Sequence, residues 1–421
     1  MFRFLHLLFA FLLTLPVYGQ LRIRVMHYNL LSFGPPCTNV EISNKYNWLG
    51  TILELYQPHI FTVNELGPNI AYSNGIKALS FDYTNRISYA GFTNNANSNF
   101  VNQLFYDHEI FAYQGVEVIG GFLRDMNVYH LYLKATAGVS GVDTVFLDCI
   151  IAHYKAGDTP SDANTRAGMA EAVMNYIKTK GKRKNILVMG DFNLYSHNEA
   201  AFQTMVFNPD TSIRLTDPAG KQNGWNGPSN AIHHTQSPRL STPDCGSGGG
   251  MDDRFDFILA SSSIMEDSAG IGYVSGSYAA LGNDGNSYDQ ELFCSNSGSV
   301  PANVCAVMKQ MSDHLPVVLQ LEVAGVTDLE HNPAISQTQM EIIPRVFERD
   351  IQINLLHPHP GSGDWEIELT NLLGQVLLHI KMPNGATKTS IPAENLVGGL
   401  YMIRMRNRQN QTLIRKFLWQ L

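Results

Sequence analysis

The chain has 421 residues, of which 44% are hydrophobic and 16% are charged, and its formal net charge is −8. This is the composition of an ordinary globular protein that can bury a large core, with room for one large and one small domain. The net negative charge provides no sign of the basic surface that tight binding of nucleic acid requires. The composition therefore excludes a protein that holds nucleic acid through such a surface. An enzyme that contacts phosphates briefly through a metal is not excluded.

Residues 1–19 have the pattern of a secretory signal peptide. Arg3 supplies the positive charge, Leu5–Leu15 form the apolar run, and Val17–Gly19 provide a small-residue cleavage site. A membrane anchor is the alternative, but the run is short for a bilayer span, and no later segment is apolar over a sufficient length. We therefore expect an exported protein.

Five cysteines in an exported chain allow disulfide bonds. Cys294 and Cys305 are close in sequence and flank a Ser/Asn/Gly loop, so we predict that they pair. Cys37 and Cys245 both lie in Pro/Gly-rich loops and form a second candidate pair. Cys149 lies in a strand-like run, where a buried free thiol is the simpler interpretation. No cysteine spacing indicates a zinc site.

In chain order, residues 21–323 contain eight predicted strands and two predicted helices. The strands are Leu21–Asn29, His59–Glu65, Asn99–Tyr106, Val128–Ala135, Val145–His153, Lys184–Gly190, Arg254–Ala260 and Pro316–Val323, and the helices are Asn44–Tyr56 and Asp162–Lys178. The first helix would carry Trp48, Ile52 and Leu55 on one face. The strands at 99–106 and 128–135 are expected to pair. This mixture predicts an α/β fold with two layers of sheet.

The character of the sequence changes after Val323. Residues 324–340 are polar and are predicted to be a linker. From Glu341 onward no helical pattern occurs, and short strands recur at Trp365–Leu369, Gly374–Ile380, Leu400–Met405 and Thr412–Trp419. This spacing predicts a small all-β sandwich of roughly seven strands over residues 341–421. The larger domain then comprises residues 20–323.

Two short motifs carry the strongest functional signal. Gly190-Asp191-Phe192-Asn193 follows the buried strand pattern of Ile186–Met189, and Ser312-Asp313-His314-Leu315-Pro316 follows Val304–Met311, which resembles a strand more loosely. In metal-assisted phosphate hydrolysis, carboxylates bind a hard cation, an amide grips a phosphoryl oxygen and a histidine moves a proton. The two motifs together therefore indicate a metal-dependent phosphoester hydrolase.

Polar residues at the ends of other predicted strands extend the set, and each has a structural alternative. Asn29 could simply end its strand, Glu65 could be a solvated loop acid, and His153 could be a satisfied core histidine. Asp256 lies between two phenylalanines on an apolar strand, where a carboxylate needs a partner. We leave other polar residues outside the site, with a solvated first-turn position for Arg166 and surface or loop positions for His27, His233 and His234.

The order of these motifs resembles that of the endonuclease/exonuclease/phosphatase superfamily. This superfamily includes deoxyribonuclease I-like nucleases, abasic-site endonucleases, inositol polyphosphate phosphatases and neutral sphingomyelinases. The resemblance covers about residues 21–323, and its most specific marks are Gly190–Asn193 and Ser312–Val317. It implies a two-sheet, four-layer α/β sandwich of the deoxyribonuclease I-like type, with helices on both outer faces.

Three residues match the metal side of the superfamily's site. Glu65 matches the principal Mg²⁺ ligand, Asn29 the amide beside the metal, and Asp313 an acid on the same side. Mg²⁺ takes few protein carboxylates and keeps several waters, so one firm ligand such as Glu65 can suffice. The implied cofactor is Mg²⁺, with Mn²⁺ and Ca²⁺ left open.

Five residues match the catalytic side. His314 matches a histidine paired with a carboxylate, and Asp256 matches that carboxylate, which would fix the histidine tautomer and raise its basicity. Asp191 and Asn193 match the pair that orients the nucleophilic water and holds the scissile phosphate. His153 matches the second histidine of the nuclease and sphingomyelinase branches.

Two positions depart from the deoxyribonuclease pattern. In those nucleases an arginine that enters the DNA minor groove closely follows the metal glutamate, whereas Leu66-Gly67-Pro68 follows Glu65 here. The strand that usually offers an acid to the first histidine is Ser98–Gln103, which contains none. Both departures weaken the case for duplex DNA as the substrate.

The tail resembles the C-terminal sorting domains of the type IX secretion system of Bacteroidetes. The resemblance lies in Leu369–Val376, Gly398–Arg404 and Arg415–Phe417, while the usual Pro-Asn-Pro is replaced by His357–Pro360. It implies that this machinery carries the chain through the periplasm and across the outer membrane, to be secreted or held at the cell surface. A generic adhesion or carbohydrate-binding β-sandwich is the alternative.

The resemblances together imply a secreted Mg²⁺-dependent phosphodiesterase. We favour a nuclease that degrades extracellular nucleic acid, acting as a monomer with no stable protein partner besides the secretion machinery. A phospholipid or inositol-phosphate hydrolase is the alternative within the same chemistry. A surface-displayed binding protein on an inactive hydrolase scaffold is the alternative of another class.

Overall fold

The computed structural model describes most of both predicted domains. The described residues are 21–34, 40–79, 86–134, 145–180, 185–242, 245–294, 299–323, 339–345, 350–356, 364–371, 375–397, 399–407 and 412–419. They fall into two compact units, with the boundary between Leu329 and Glu330. The predicted signal peptide, Cys37, residues 324–338 of the predicted linker and His357–Pro360 lie outside the described residues.

The first unit contains both strands and helices. In the part of it that the structure describes, the strands are β1 (Leu21–Phe33), β2 (Ile60–Leu66), β3 (Ile87–Tyr89), β4 (Val101–Asp107), β5 (Phe111–Ile119), β6 (Met126–Leu133), β7 (Phe146–His153), β8 (Ile186–Asp191), β9 (Leu215–Thr216), β10 (Asp256–Ser261), β11 (Gly272–Tyr273), β12 (Ala279–Ala280) and β13 (Val317–Val323). The helices are α1 (Ile42–Tyr56), α2 (Ile70–Leu79), α3 (Pro160–Lys180), α4 (Ala200–Val206), α5 (Ser262–Met265) and α6 (Ala302–Met311), with a 3₁₀ helix at Pro228–His233.

These strands form two sheets that pack face to face. One has the order β11-β13-β1-β2-β4-β3, with β12 beside β13, and the other has the order β5-β6-β7-β8-β10-β9. A core that includes Val25, Ile60, Leu147 and Met189 lies between the sheets. A second core joins the first sheet to α1, α2 and α6, and a third joins the second sheet to α3 and α4. The predicted four-layer α/β sandwich is confirmed.

Three local predictions for the first unit were wrong. Residues 304–311 belong to helix α6, where Val304, Met308 and Met311 recur at helical spacing and are buried. Strands β4 and β6 do not pair, because β4 pairs with β2 and β3 while β6 pairs with β5 and β7. Leu55 is 40% exposed. The buried face of α1 consists of Lys45, Leu49, Ile52 and Leu53.

The second unit is entirely β in its described residues. Its strands are β14 (Gln339–Arg345), β15 (Asp350–Leu356), β16 (Trp365–Asn371), β17 (Val376–Met382), β18 (Lys388–Pro392), β19 (Gly399–Asn407) and β20 (Thr412–Trp419). They form the sheets β14-β15-β18 and β17-β16-β19-β20, with a shared core that includes Ile351, Trp365 and Trp419. This arrangement confirms the predicted small β-sandwich.

The cysteine predictions can be compared with the structure at three positions. Cys294 and Cys305 form a disulfide bond with a Cα–Cα distance of 5.5 Å, as predicted. Cys149 is a buried free thiol on β7, also as predicted. The proposed pairing of Cys37 with Cys245 cannot be described because Cys37 lies outside the described residues. Among the described helices, none has the length and apolar character needed to cross a membrane.

Candidate active site

The predicted site residues meet at one end of the two central sheets. Strands β1 and β2 run parallel, as do β7 and β8, and the register places His153 beside Asp191. Asp256, the first residue of β10, lies opposite Asp191 in the antiparallel pair β8–β10. Parallel neighbours end at the same edge of a sheet, so the polar residues at these strand ends are brought together.

His314 and Asp256 form a buried ion pair. The Nδ1 atom of His314 lies 2.7 Å from Oδ2 of Asp256, and both side chains are buried. Burial opposes the charged form of His314, but Asp256, Asp191 and Asp313 outweigh it and hold the pKa of the imidazole well above its usual value. The ring is therefore an imidazolium that can donate a proton through Nε2, which lies 3.6 Å from Oδ2 of Asp191.

Asn29 links the two halves of the site. Its Nδ2 group donates to Oδ2 of Asp191 at 2.9 Å and to Oε1 of Glu65 at 3.2 Å. Its Oδ1 atom accepts the main-chain N–H of Leu31 at 3.0 Å, which fixes the orientation of the amide. The amide therefore holds a carboxylate of the first sheet next to one of the second sheet.

Two of the site residues have left-handed backbone conformations. Glu65 has φ of 58° and Asn193 has φ of 50°, values that are uncommon for residues other than glycine and that concentrate at functional sites. Oε2 of Glu65 accepts the N–H of Ser32 at 2.8 Å. Asn193 donates its main-chain N–H to Oδ1 of Asp191 at 3.1 Å and its side-chain amide to the carbonyl of Tyr154 at 3.4 Å.

His153 lies in the same cluster but in a different electrostatic environment. Its Nε2 atom is 3.4 Å from Oδ2 of Asp191 and 4.0 Å from Oε1 of Glu65. Its Nδ1 atom is buried and has no hydrogen-bond partner among the described residues. Burial, together with the charges of Arg124 and His314, lowers the pKa of His153 well below its usual value. His153 is therefore neutral where His314 is charged.

A buried layer of amides lies next to Asp191. Asn64 donates to Oδ1 of Asn102 at 2.7 Å, and Asn102 donates onward to Oδ1 of Asn127 at 3.2 Å and to the carbonyl of Asp125 at 2.8 Å. Oδ1 of Asn64 also accepts the N–H of Asp191 at 2.9 Å. This network crosses from one sheet to the other and holds the end of β8 in place.

Asp313 and Gln236 form the side of the site nearest His314. Oδ2 of Asp313 accepts the N–H of Ser247 at 2.6 Å, while Oδ1 is buried, lies 3.8 Å from Nε2 of His314 and has no hydrogen-bond partner in the described part of the chain. Nε2 of Gln236 lies 2.8 Å from Nε2 of His314. A glutamine can turn either its oxygen or its NH₂ group toward the ring. It therefore suits either protonation state of the histidine.

Sequence reasoning missed Gln236 and Arg124. Arg124 precedes β6, and its charge interacts with Glu65 and Asp191. Its Nε atom is buried without a hydrogen-bond partner in the described residues. Neither residue could have been found by pattern, because Gln236 lies in a long polar stretch and Arg124 in a turn where arginine is usually solvated.

The concentration of acids in this site suits a divalent cation. Glu65, Asp191, Asp256 and Asp313 lie within one cluster, and burial and the charge of Asp256 raise the pKa of Asp191 against the pull of His314. Buried carboxylates in such numbers need compensating positive charge. Donor atoms of Asp191, Asp256 and His314 lie within 4.8 Å of one another. Of these three residues, His314 and Asp256 already bond to each other.

Two residues that were left outside the site, Arg166 and His27, have different positions from those expected, and a third, His234, differs only in being buried. Arg166 is buried rather than solvated and donates to Oε2 of Glu199 and to the carbonyls of Lys155 and Gly157. It therefore holds the loop that follows His153. His27 is buried on β1, with Nδ1 2.9 Å from Oγ1 of Thr62. His234 lies in a loop, as expected, but is buried.

Comparison with known families identifies the tail. Residues 347–420 match the family described as the secretion system C-terminal sorting domain. This match confirms the predicted resemblance. It covers the second unit alone and carries no information about the chemistry of the first. No curated protein shows significant sequence similarity to the chain.

Several solved structures are similar to a large part of the chain. A humanised D. rerio TDP2 with 14 mutations has 16% identity and a TM-score of 0.46, with coverage of 71% of this chain and 98% of that chain. An endonuclease/exonuclease/phosphatase from Bacteroides vulgatus has 13% identity, a TM-score of 0.46 and coverage of 72% and 99%. The catalytic domain of human Nocturnin with bound sulfate has 13% identity, a TM-score of 0.44 and coverage of 73% and 97%.

Proposed function

We propose that the protein is an exported, metal-dependent phosphodiesterase whose substrate is extracellular nucleic acid. One observation carries the proposal: a buried imidazolium–carboxylate pair, His314 and Asp256, lies 3.6 Å from Asp191, which Asn29 joins to Glu65. Phosphodiester hydrolysis needs a proton donor, a group that orients water and a site for a cation within one small volume. The cluster offers all three.

The residues of the chain divide the chemistry between them. A cation held by Glu65 would neutralise phosphoryl charge and polarise the P–O bond. Asp191 accepts hydrogen bonds from Asn29 and from the N–H of Asn193, so its carboxylate is oriented to hold a water and take its proton. His314 donates a hydrogen bond or a proton to a phosphoryl or leaving oxygen.

Two further groups support phosphate binding. Neutral His153 can donate Nε2–H to a phosphoryl oxygen, and Arg124 directs positive charge at the same place. Together with Asn193, they provide donors without adding negative charge to an already acidic site.

The net charge of −8 favours a second candidate substrate. An acidic protein repels duplex DNA at long range but handles a small phosphoester or a zwitterionic lipid more easily. A phospholipid or inositol-phosphate hydrolase would use the same residues. An inactive binding scaffold is disfavoured, because the His314–Asp256 pair and its neighbours are intact.

One assay separates these substrates. Purified protein with Mg²⁺ would be tested in parallel on plasmid DNA, RNA, sphingomyelin, an inositol phosphate and bis-p-nitrophenyl phosphate. We expect cleavage of the nucleic acids and of the small diester, and its loss with a chelator. Cleavage of lipid or inositol phosphate alone would move the assignment to the second candidate. Activity that resists the chelator would refute a metal mechanism.

The sorting-domain match supports export of the chain by the secretion machinery of that family. We propose that the second unit serves this step alone and that the first unit carries the hydrolase. Secretion into the medium or retention at the cell surface would place the site in contact with extracellular substrate.

A further inference from the structure

Lys45 carries a buried positive charge next to the candidate cation site. It lies on α1 and is 2% exposed. Its Nζ group donates to the carbonyl of Leu30 at 2.9 Å and also to the carbonyl of Leu31. Lysine is almost never fully buried unless its ammonium group is paired. The location of these two carbonyls indicates which part of the site the ammonium group of Lys45 stabilises.

Both carbonyls belong to residues 30–32, an irregular segment of β1 with an unusual backbone. Leu31 and Ser32 have φ of 47° and 49°, so two consecutive residues with side chains adopt the left-handed conformation. Residues other than glycine keep this conformation only where surrounding contacts impose it. The ammonium group of Lys45 supplies such a contact at each of the two peptide groups.

The same two peptide groups face the site with their N–H ends. The Leu30–Leu31 peptide donates the N–H of Leu31 to Oδ1 of Asn29 at 3.0 Å. The Leu31–Ser32 peptide donates the N–H of Ser32 to Oε2 of Glu65 at 2.8 Å. In a trans peptide the C=O and N–H groups point in opposite directions. Lys45 and the two site residues therefore bind opposite ends of the same peptide units.

We propose that Lys45 is a positioning residue of the cation site, acting on Asn29 and Glu65 through these two peptide groups. A cation at a carbonyl oxygen polarises the peptide and strengthens its N–H as a donor. Lys45 thus fixes the amide of Asn29 and one oxygen of Glu65, which leaves Oε1 of Glu65 directed at the site. The proposal rests on the proposed function, because the cation site is part of that function.

The consequence is an effect on metal affinity from a residue that does not touch the metal. Groups that orient metal ligands typically change affinity by about 10–100-fold when removed. If Lys45 served only to satisfy two carbonyls, its loss would lower thermal stability and leave the affinity of the folded protein unchanged. The two roles are therefore separable by measurement.

The test compares Lys45→Met with Lys77→Met in the otherwise intact protein. Methionine keeps the apolar stem of Lys45 but removes the charge and the donors. Lys77 is an exposed lysine in the last turn of α2. Its replacement therefore removes the same charge without affecting the irregular segment of β1 at residues 30–32. Mn²⁺ binding would be measured by electron paramagnetic resonance, with thermal unfolding in parallel. We expect Lys45→Met to weaken Mn²⁺ binding by about tenfold and Lys77→Met to leave it unchanged.

Two further variants keep the test decisive if Lys45→Met does not fold. Lys45→Gln keeps an NH₂ donor group without the charge and should weaken Mn²⁺ binding, whereas Lys45→Arg keeps the charge and should restore most of the affinity. Unchanged Mn²⁺ affinity in folded Met or Gln variants would overturn the role of Lys45 and leave the proposed function standing. Absence of Mn²⁺ and Mg²⁺ binding by the unaltered protein would overturn both.

Discussion

His314 and His153 are both buried beside Asp191, yet they have opposite charge states. His314 has the carboxylate of Asp256 at 2.7 Å on one ring nitrogen, whereas Nδ1 of His153 has no partner in the described residues. Burial lowers the pKa of each, and only His314 has enough nearby negative charge to reverse that effect. We therefore propose His314 as the proton donor of the site.

The first prediction concerns this donor. His314→Ala should lower kcat by a factor on the order of 10²–10⁴, because it removes the group that transfers a proton. Steady-state hydrolysis of bis-p-nitrophenyl phosphate measures the effect, and circular dichroism checks the fold. The partly exposed His108 offers a matched control in His108→Ala. Hydrolysis by His314→Ala at the rate of this control would remove His314 from the mechanism.

A second prediction concerns Arg124, whose charge interacts with Glu65 and Asp191. Arg124→Gln should lower kcat/KM by about 10–100-fold, because it removes a charge-assisted contact to the phosphoryl group. Arg124→Lys should recover part of the loss. Arg22→Gln, an exposed change at the start of β1, serves as the control. Equal kcat/KM in the Arg124→Gln and Arg22→Gln variants would contradict the role.

At this scale the sequence predicted which residues meet but not how they are held. Asp191, Asn193, Asp313 and His314 lie in local motifs, so their types and spacing were visible. Lys45, Arg124 and Gln236 could not be found in this way. Their roles come from contacts between separate segments of the chain. The ammonium group of Lys45, for example, donates to the carbonyl of Leu31, which is 14 residues away.

Strand ends explain why the site lies where it does. Strands β1 and β2 and strands β7 and β8 are parallel pairs, so Asn29, Glu65, His153 and Asp191 come to one edge without long loops. The amide layer of Asn64, Asn102 and Asn127 then couples the two sheets at that edge. Rigid strands and fully paired amides hold the cluster more firmly than surface loops could.

A prediction of pH-dependent stability concerns His59, the residue that precedes β2. Nδ1 of His59 accepts the main-chain N–H of Arg24, and burial, followed by the charges of Arg24 and Arg86, lowers the pKa of His59 from 6.5 to about 3. Between these values the unfolded chain binds one proton more than the folded one. Stability from this group is therefore complete above pH 6.5 and is lost as the pH falls toward 3.

His59→Asn should remove this pH-dependent contribution to stability, because asparagine does not titrate. The Oδ1 atom of the asparagine can still accept the main-chain N–H of Arg24, so the hydrogen bond is kept. Urea unfolding between pH 6 and pH 4 would measure this contribution. As the pH falls from 6 to 4, we expect the free energy of unfolding to decrease less steeply in the variant than in the unaltered protein. The two slopes should differ by about 1.4 kcal/mol per pH unit. Measurements at pH 7.5 provide the control, where the mutation has no proton-linked effect. Identical slopes of unfolding free energy against pH in the two proteins would show that the folded protein protonates His59 as readily as the unfolded chain does, which would contradict the lowered pKa.

The element predictions succeeded where periodicity was strong and failed where it was ambiguous. The runs of β7 and β8 are apolar and short, which is typical of buried strands. Residues 304–311 are equally apolar, and only the burial of Val304, Met308 and Met311 on one side distinguishes a helix. Strand β5 was missed because most of its residues are partly exposed and its pattern is broken at Gly115.

The whole molecule combines an α/β unit with a separate β-sandwich unit whose sequence matches a sorting-domain family. The described residues form two compact units, each with its own core. We therefore predict that removing residues 330–421 leaves hydrolysis within about twofold of the full chain, because a unit with its own core folds alone. The same deletion should block delivery past the outer membrane in the native host.

Two measurements check this prediction separately. Activity of the purified first unit tests its independence, and loss of activity in a folded product would mean that the tail completes the site. Fractionation of the host tests export. Normal surface delivery of the truncated chain would show that the tail has a binding role instead.

The most direct test of the proposed function is a Mg²⁺ titration of diester hydrolysis by the unaltered protein and by Glu65→Gln. Glutamine keeps the shape of Glu65 and removes the charge that would hold the cation. We predict no hydrolysis in a chelator, saturation with Mg²⁺ in the unaltered protein, and a variant that is nearly inactive at low Mg²⁺ and partly recovers at high Mg²⁺ by mass action. Superimposable Mg²⁺ curves for the two proteins, or hydrolysis that persists in the chelator, would contradict it.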